Sequence, residues 1–153
     1  MTIAYLADHI TFADDAATWI YGAFVEPVRD DLSYEQVLAK VKDCHKSQLP
    51  IRFVAILDGN CVGTVSLVHN DLKCRDYTPW LAALYVDESF RGRQIGERLL
   101  DHAKSIAQNL GYPALYLRTE HASNYYKKLG WQFVEACDDD FNLKPDVFKF
   151  TFA

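Results

Sequence analysis

The chain has 153 residues, of which half are apolar and 14% are aromatic, and its formal net charge is −5. This length and composition predict one folded domain over residues 1–153 and exclude a chain that is disordered throughout. The negative charge argues against nucleic acids and anionic membranes as partners, and it is compatible with a cationic substrate such as an amine.

The first residues have neither the basic region nor the long apolar core of a signal peptide. No apolar run approaches the roughly 20 residues that a membrane span needs. The four cysteines are scattered, with no C-x-x-C pair: Cys44, Cys61, Cys74 and Cys137. Because this spacing favours neither a metal site nor a disulfide framework, the sequence predicts a cytoplasmic protein with reduced cysteines.

The first fifty residues predict one short strand and two helical segments. The strand covers 3–6, and residues 8–24 form either a helix or two half-turns, which Pro27 ends. Ser33 and Gln36 have the spacing of a capping box, so a second helix is expected to begin there.

A hairpin follows the second helix. The segments 51–57 and 61–69 are rich in β-branched and apolar residues, and the Asp58-Gly59 pair between them is a strong turn signal. A polar, irregular loop over 70–79 then leads into the middle of the chain.

The stretch from 80 to 111 is the most informative part of the sequence. The apolar run 80–86 predicts a strand, and the polar turn 87–94 carries two arginines around Gly92. A helix is expected next, with Gly111 as its end and with an apolar face made of Ile95, Leu99, Ala103, Ile106 and Leu110. The first amides of this helix have no partner within it, so strand, turn and helix start together predict an anion site.

The last forty residues predict three strands and a short helix. The strand at 114–118 follows a helical crossover, so it is expected to lie parallel to the strand at 80–86. A helix over 121–129 and strands over 131–136 and 147–152 complete the chain. The whole pattern indicates an α/β fold with a central mixed sheet and helices on both faces.

Two motifs in this half resemble those of one enzyme family. Neither a P-loop nor a dinucleotide fingerprint has the right spacing here. The sequence R-G-R-Q-I-G, from Arg91 to Gly96, resembles the Q/R-x-x-G-x-G/A signature of the GNAT (GCN5-related) N-acetyltransferase superfamily, with Gln94 in place of the first glycine. The segment N-Y-Y-K-K-L-G-W, at 124–131, resembles the family's F-Y-E-K-L-G-F segment. The resemblance covers residues 80–134 and implies the GNAT fold.

The resemblance implies direct transfer of an acetyl group from acetyl-CoA, as cosubstrate, to a primary amine, without a metal ion. The family lays the pantetheine arm along its fourth strand and the diphosphate on the amides of the turn. Mapped onto this chain, the cofactor-binding residues are Leu84, Tyr85, Val86, Arg91, Gly92, Arg93, Gln94, Ile95 and Gly96. Thr119 stands where relatives often have an asparagine, and Asn124 is the candidate to replace that contact.

The tyrosine of the family's second motif is often the general acid that returns a proton to the departing thiolate. Tyr126 falls on this position, and the competing interpretation is that it only packs against the cofactor. Tyr125 falls on the family's phenylalanine and is expected in the core.

The base that deprotonates the amine is less well defined, because the strand at 80–86 contains no acid or histidine. Glu120 is the chosen candidate, with His121 and Glu26 as others, although solvated surface charge is the competing role for Glu120. Three aromatic residues either line an amine pocket by cation–π contact or belong to the core: Phe24, Tyr77 and Trp80.

The identity of the acceptor stays open between a small metabolite, an antibiotic amine, and a protein N-terminus or lysine. The protein is expected to be a monomer or a homodimer. A second class of function also stays open, namely a GNAT-fold module that senses an acyl-CoA without turning it over. Tyr126 favours the enzyme, and the missing acid on the fourth strand favours the sensor.

Overall fold

A computed structural model describes residues 1–153. In it a mixed sheet separates two layers of helices, because alternate side chains of its strands point to opposite faces. Phe53 and Ala55 pack into a core with one helix, whereas Val54 between them packs into a second core on the opposite face. This alternation follows from the two-residue period of a strand. The predicted α/β class, with a mixed sheet between helices, is confirmed.

The sheet has seven strands in the order β1-β2-β3-β4-β5-β7-β6. Neighbouring strands are antiparallel except β4 and β5, which are parallel as the crossover predicted. The strands are β1 Thr2–Tyr5, β2 Ile51–Leu57, β3 Asn60–Val68, β4 Trp80–Val86, β5 Ala114–Thr119, β6 Gln132–Ala136 and β7 Asp146–Thr151.

Four α-helices connect these strands: α1 Ala13–Ile20, α2 Tyr34–Lys42, α3 Ile95–Asn109 and α4 Ser123–Lys128. The segment predicted as a helix or two half-turns contains α1, with short 3-10 turns before it and a π-helical turn, Tyr21–Val25, after it. None of the helices combines the length and apolarity that would let it cross a bilayer.

The start of α2 is the predicted capping box. The Ser33 hydroxyl accepts a hydrogen bond from the Gln36 backbone N–H at 3.2 Å, and the Gln36 side chain accepts one from the Ser33 N–H at 2.8 Å. Both donors would otherwise be unpaired at a helix start.

The buried face of α3 differs from the prediction at its C-terminal end. Leu110 is 38% exposed, because α3 ends at Asn109 and Gly111 turns the chain away with a φ of +93°. The buried residues of α3 are Ile95, Leu99, Leu100, Ala103 and Ala107, and they pack against the sheet in the larger core. This packing fixes the start of α3 beside the end of β4.

Candidate active site

The ladder between β4 and β5 consists of one residue pair. Trp80 lies opposite Tyr116, and the Tyr116 N–H donates to the carbonyl of Pro79 at 3.0 Å. No further pair joins the strands, so beyond Trp80 the backbone groups of β4 on this side have no strand partner. Such groups need hydrogen bonds, and an extended ligand with amide groups can supply them.

Past Trp80, where β4 and β5 are no longer paired, a gap opens between the two strands. A bulge changes the direction of β4 beside this gap. Between the pairs Thr64–Tyr85 and Ser66–Ala82, β4 contains one more residue than β3. Ala83 takes a φ of +55°, which is uncommon for a residue with a side chain. The sequence carries no signal for it, because alanine is not a typical residue of a turn or bulge.

A cavity of about 590 Å³ lies where the end of β4 meets the start of α3. Eight of the predicted cofactor-binding residues line it: Leu84, Tyr85, Val86, Arg91, Gly92, Gln94, Ile95 and Gly96. The other lining residues are Phe90, Glu97 and Tyr125. Two predicted residues, Arg93 and Asn124, do not line the cavity.

The turn before α3 depends on two left-handed residues. Gly92 has a φ of +80° and Gln94, the N-cap of α3, has a φ of +63° with no hydrogen bond from its side chain to the helix start. A residue with a Cβ is strained in this conformation, which glycine adopts without that strain.

The resemblance implies that this turn binds acetyl-CoA. We expect Gln94→Gly to bind it as well as the parent does, because the turn presents the Gln94 backbone and leaves its side chain without a bond to the helix. Removal of the strained Cβ, offset by greater freedom of the unfolded chain, should change the unfolding free energy by about 1 kcal/mol or less. Calorimetric titration and thermal melting measure the two effects. A loss of affinity of roughly tenfold, or ~1.4 kcal/mol, would mean that the Gln94 side chain contacts the ligand.

The two arginines of the turn have different surroundings. The Arg91 side chain donates from Nε to the carbonyl of Val86 at 2.9 Å, and its guanidinium lies 5.0 Å from the centre of the Tyr85 ring. Arg91 is therefore held at the cavity wall, with its remaining N–H groups available to an anion. The Arg93 guanidinium instead lies over the ring of Phe90, at 5.3 Å.

The two tyrosines of α4 occupy different environments. The ring of Tyr126 packs among core aromatic residues, with its centre 6.1 Å from that of Trp131 and 6.3 Å from that of Phe148. Burial raises the pKa of Tyr126 to about 12, and the neighbouring Tyr125 adds to the effect. The Tyr126 hydroxyl has no hydrogen-bond partner in the protein. Its oxygen is not fully buried, so solvent reaches it.

Tyr125, which was expected in the core, is 37% exposed and lines the cavity. Burial also raises its pKa, with contributions from Glu97 and Asp101 on α3. Its position follows from helix geometry, because successive side chains of α4 point about 100° apart and only one of the two tyrosines can face the core. The placement of Tyr125 in the core, which its match to the family's phenylalanine predicted, is therefore wrong, and Tyr126 packs against the core instead.

The remaining predicted residues lie around the end of β5. The Thr119 hydroxyl accepts from the Ala122 N–H at 3.0 Å and so supports the start of α4, whereas Asn124 is exposed. Glu120 accepts a hydrogen bond from Arg118 at 2.8 Å and does not line the cavity. His121 and Glu26 are exposed.

The three aromatic residues considered for an amine pocket lie in three different environments. Trp80 is fully buried, donates from its indole N–H to the carbonyl of Tyr77, and belongs to a small core cluster with Leu72. Tyr77 donates its hydroxyl to Glu135. Phe24 is 45% exposed in the turn after α1.

The profile of the acetyltransferase (GNAT) family matches residues 13–131. The chain therefore belongs to the GNAT acetyltransferase family, and the resemblance seen in its two motifs is confirmed over a longer stretch. No curated protein sequence matches the chain.

Solved structures of acetyltransferases share the fold of the whole chain. One is an aminoglycoside 6'-N-acetyltransferase complexed with coenzyme A, which is 19% identical, with 99% of this chain and 97% of that one covered and a TM-score of 0.76. The aminoglycoside 6'-N-acetyltransferase from Enterococcus faecium is 17% identical over the same shares, with a TM-score of 0.75. A GNAT-family acetyltransferase from Streptococcus pneumoniae is 16% identical, with 99% of each chain covered and a TM-score of 0.71. At these identities the comparison establishes the fold.

Proposed function

We propose that this protein is an N-acetyltransferase that uses acetyl-CoA as cosubstrate and a primary amine as acceptor. The observation that supports this best is the free edge of β4, which leads directly to the left-handed turn and the start of α3. An acyl-CoA has an extended arm with amide groups and a diphosphate, so it matches both parts of the site.

Backbone groups at the end of β4 are suited to pair with the amides of the pantetheine arm as an added strand would. The amides from Arg91 to Gly96, at the positive end of α3, are suited to hold the diphosphate, with Arg91 as an additional donor. Arg93 and Asn124 do not line the cavity, so their side chains are not among the proposed contacts.

When bound, acetyl-CoA supplies an activated acyl group with a thiolate as leaving group. In our proposal Tyr126 holds a proton for that thiolate. Its ring is fixed by the core and its hydroxyl is free, and its raised pKa keeps it protonated over the physiological pH range. Glu120 is a weaker candidate for the base, because accepting a proton would break its ion pair with Arg118.

The acceptor belongs to the class of primary amines. Because two structural relatives are named as aminoglycoside acetyltransferases, an aminoglycoside is a sensible first substrate to test. Peptide N-termini, lysine peptides and polyamines complete a panel. A cytoplasmic location is consistent with four cysteines that form no disulfide.

Two measurements test this function. Millimolar acetyl-CoA should raise the melting temperature, since a ligand that binds only the native state stabilises it. Release of the free thiol should then depend on one of the amines in the panel. A melting curve that acetyl-CoA leaves unmoved would contradict the proposal. A clear shift without thiol release for any amine would favour the acyl-CoA sensor, whose specific support is the absence of an acid on β4.

A further inference from the structure

The gap beside β4 has two unlike faces. On β5, Leu115 and Leu117 belong to the core that α3 covers, whereas Tyr116 packs with Trp80 on the opposite face. Strand alternation puts Arg118 on the same face as Tyr116. Since Tyr116 is the only β5 residue paired with β4, Arg118, two residues further along, lies at the gap, on the face that α3 does not cover. Arg118 makes this the polar face of the gap, and we assign the amine acceptor to it.

Arg118 organises three acidic residues there. Its guanidinium donates to the Glu120 carboxylate at 2.8 Å, to the Asp139 carboxylate at 2.7 Å, and to the backbone carbonyl of Asp71 at 3.4 Å. Glu120 and Asp139 therefore have a partner in Arg118. The side chain of Asp71 is half-buried near Arg118 and Glu120, and its carboxylate receives no hydrogen bond from the protein.

We propose that Asp71 binds the ammonium group of the acceptor and takes one proton from it, a role that rests on the function proposed above. One N–H bond breaks with its electron pair left on nitrogen, and an O–H bond forms on the Asp71 carboxyl. The neutral amine is then the nucleophile, and Asp71 later returns its proton to solvent. Three carboxylates around one guanidinium leave the site negative, which favours a cationic acceptor.

The electrostatics of Asp71 agree with this role. Burial raises the pKa of Asp71 to about 7, the charge of Arg118 opposes this rise, and the charge of Glu120 adds to it. A carboxylate with this pKa is half ionised near neutral pH, which suits a group that must accept and release a proton there. Lys73, on the same loop, is exposed.

The test compares Asp71→Asn with the parent, using the best amine of the panel. We expect kcat/KM at pH 7 to fall roughly 100-fold or more, and the rise of kcat/KM with pH near 7 to disappear, while the melting shift caused by acetyl-CoA stays the same. Asp76→Asn removes an exposed acid from the same loop and should behave as the parent. Glu120→Gln should keep the pH-dependent rise and move it to lower pH, because a charge that raises the Asp71 pKa is gone.

A second measurement needs no ligand. An acid whose pKa is raised by folding binds its proton more tightly in the native state than in the unfolded state. The free energy of unfolding therefore falls as the pH rises from about 4 to about 7, where Asp71 loses its proton. Asp71→Asn should therefore melt at a higher temperature than the parent above pH 7 and at a similar temperature near pH 4. A carboxylate that only paired with Arg118 would give the opposite sign, and that outcome would overturn the proposal.

The outcomes separate the two proposals. If the parent acetylates an amine and Asp71→Asn retains both rate and pH profile, the role of Asp71 is wrong and the proposed function stands. If the pH-dependent rise vanishes in Glu120→Gln and persists in Asp71→Asn, the base is Glu120. If the parent releases thiol at the same rate with and without every amine of the panel, the proposed function is itself contradicted. Asp71→Ser removes the same carboxyl and serves as a second variant if the asparagine protein is unstable.

Discussion

Tyr126→Phe should lower turnover by roughly 10- to 1000-fold and leave acetyl-CoA affinity nearly unchanged. The substitution keeps the ring that packs on Trp131 and Phe148 and removes only the hydroxyl. Because that hydroxyl has no partner within the protein, its loss leaves no buried group unpaired, and the melting temperature should stay close to that of the parent. Single-turnover kinetics, which isolate the chemical step, are the appropriate measurement.

Tyr125→Phe is the matched control, since it removes a hydroxyl from the adjacent residue. Tyr125 lines the cavity, so a change in cofactor affinity is acceptable in this variant, but its chemical step should proceed at nearly the parent rate. A large loss of rate in Tyr125→Phe with none in Tyr126→Phe would reassign the acid to the cavity tyrosine. Equal losses of affinity and rate in Tyr126→Phe would identify a binding contact instead.

Gly96→Trp should abolish the melting shift that acetyl-CoA causes. A Cβ built on Gly96 would lie 3.6 Å from a methyl group of Val86, which is an ordinary contact, so the backbone itself tolerates a side chain. An indole attached there would fill the cavity between β4 and α3 and cover the amides of the turn. Differential scanning fluorimetry with and without acetyl-CoA measures the effect.

The graded control is Gly96→Ala, which adds only the tolerated methyl group. It should keep most of the ligand-induced shift and the melting temperature of the free protein. If Gly96→Trp retained the full shift, the diphosphate would have to bind elsewhere, and the proposed position of the cofactor would be wrong. Circular dichroism checks that the bulky variant is folded.

Local patterns in the sequence predicted most of the fold. Strands β2 and β4 begin and end at the predicted residues, because each is a short apolar run bounded by a break or by charged residues. The capping box at Ser33 follows from two side chains three positions apart. The eight predicted residues that line the cavity at the start of α3 lie within 84–96, so a local motif was enough to select them, whereas Tyr125 comes from a distant segment.

The features that the sequence did not predict depend on contacts between distant segments or on backbone strain. Ala83 has an ordinary side chain, and only the mismatch between β3 and β4 forces its left-handed conformation. Asp71 and Asp139 join Arg118 from two different loops, so no local spacing indicates their association. Tyr125 and Tyr126 are adjacent and chemically alike, and only the packing of α4 distinguishes them.

The single pair between β4 and β5 divides the sheet into two blocks of strands that have almost no hydrogen bonds in common. In the free protein the larger core beneath α3 must hold the blocks together, since it draws residues from both. An acyl-CoA bound along β4 would act as a removable strand that fills the seam. In each catalytic cycle, binding of the acyl-CoA would link the two blocks and release of CoA would separate them again. The junction between β4 and β5 would therefore be most rigid while the cofactor is bound.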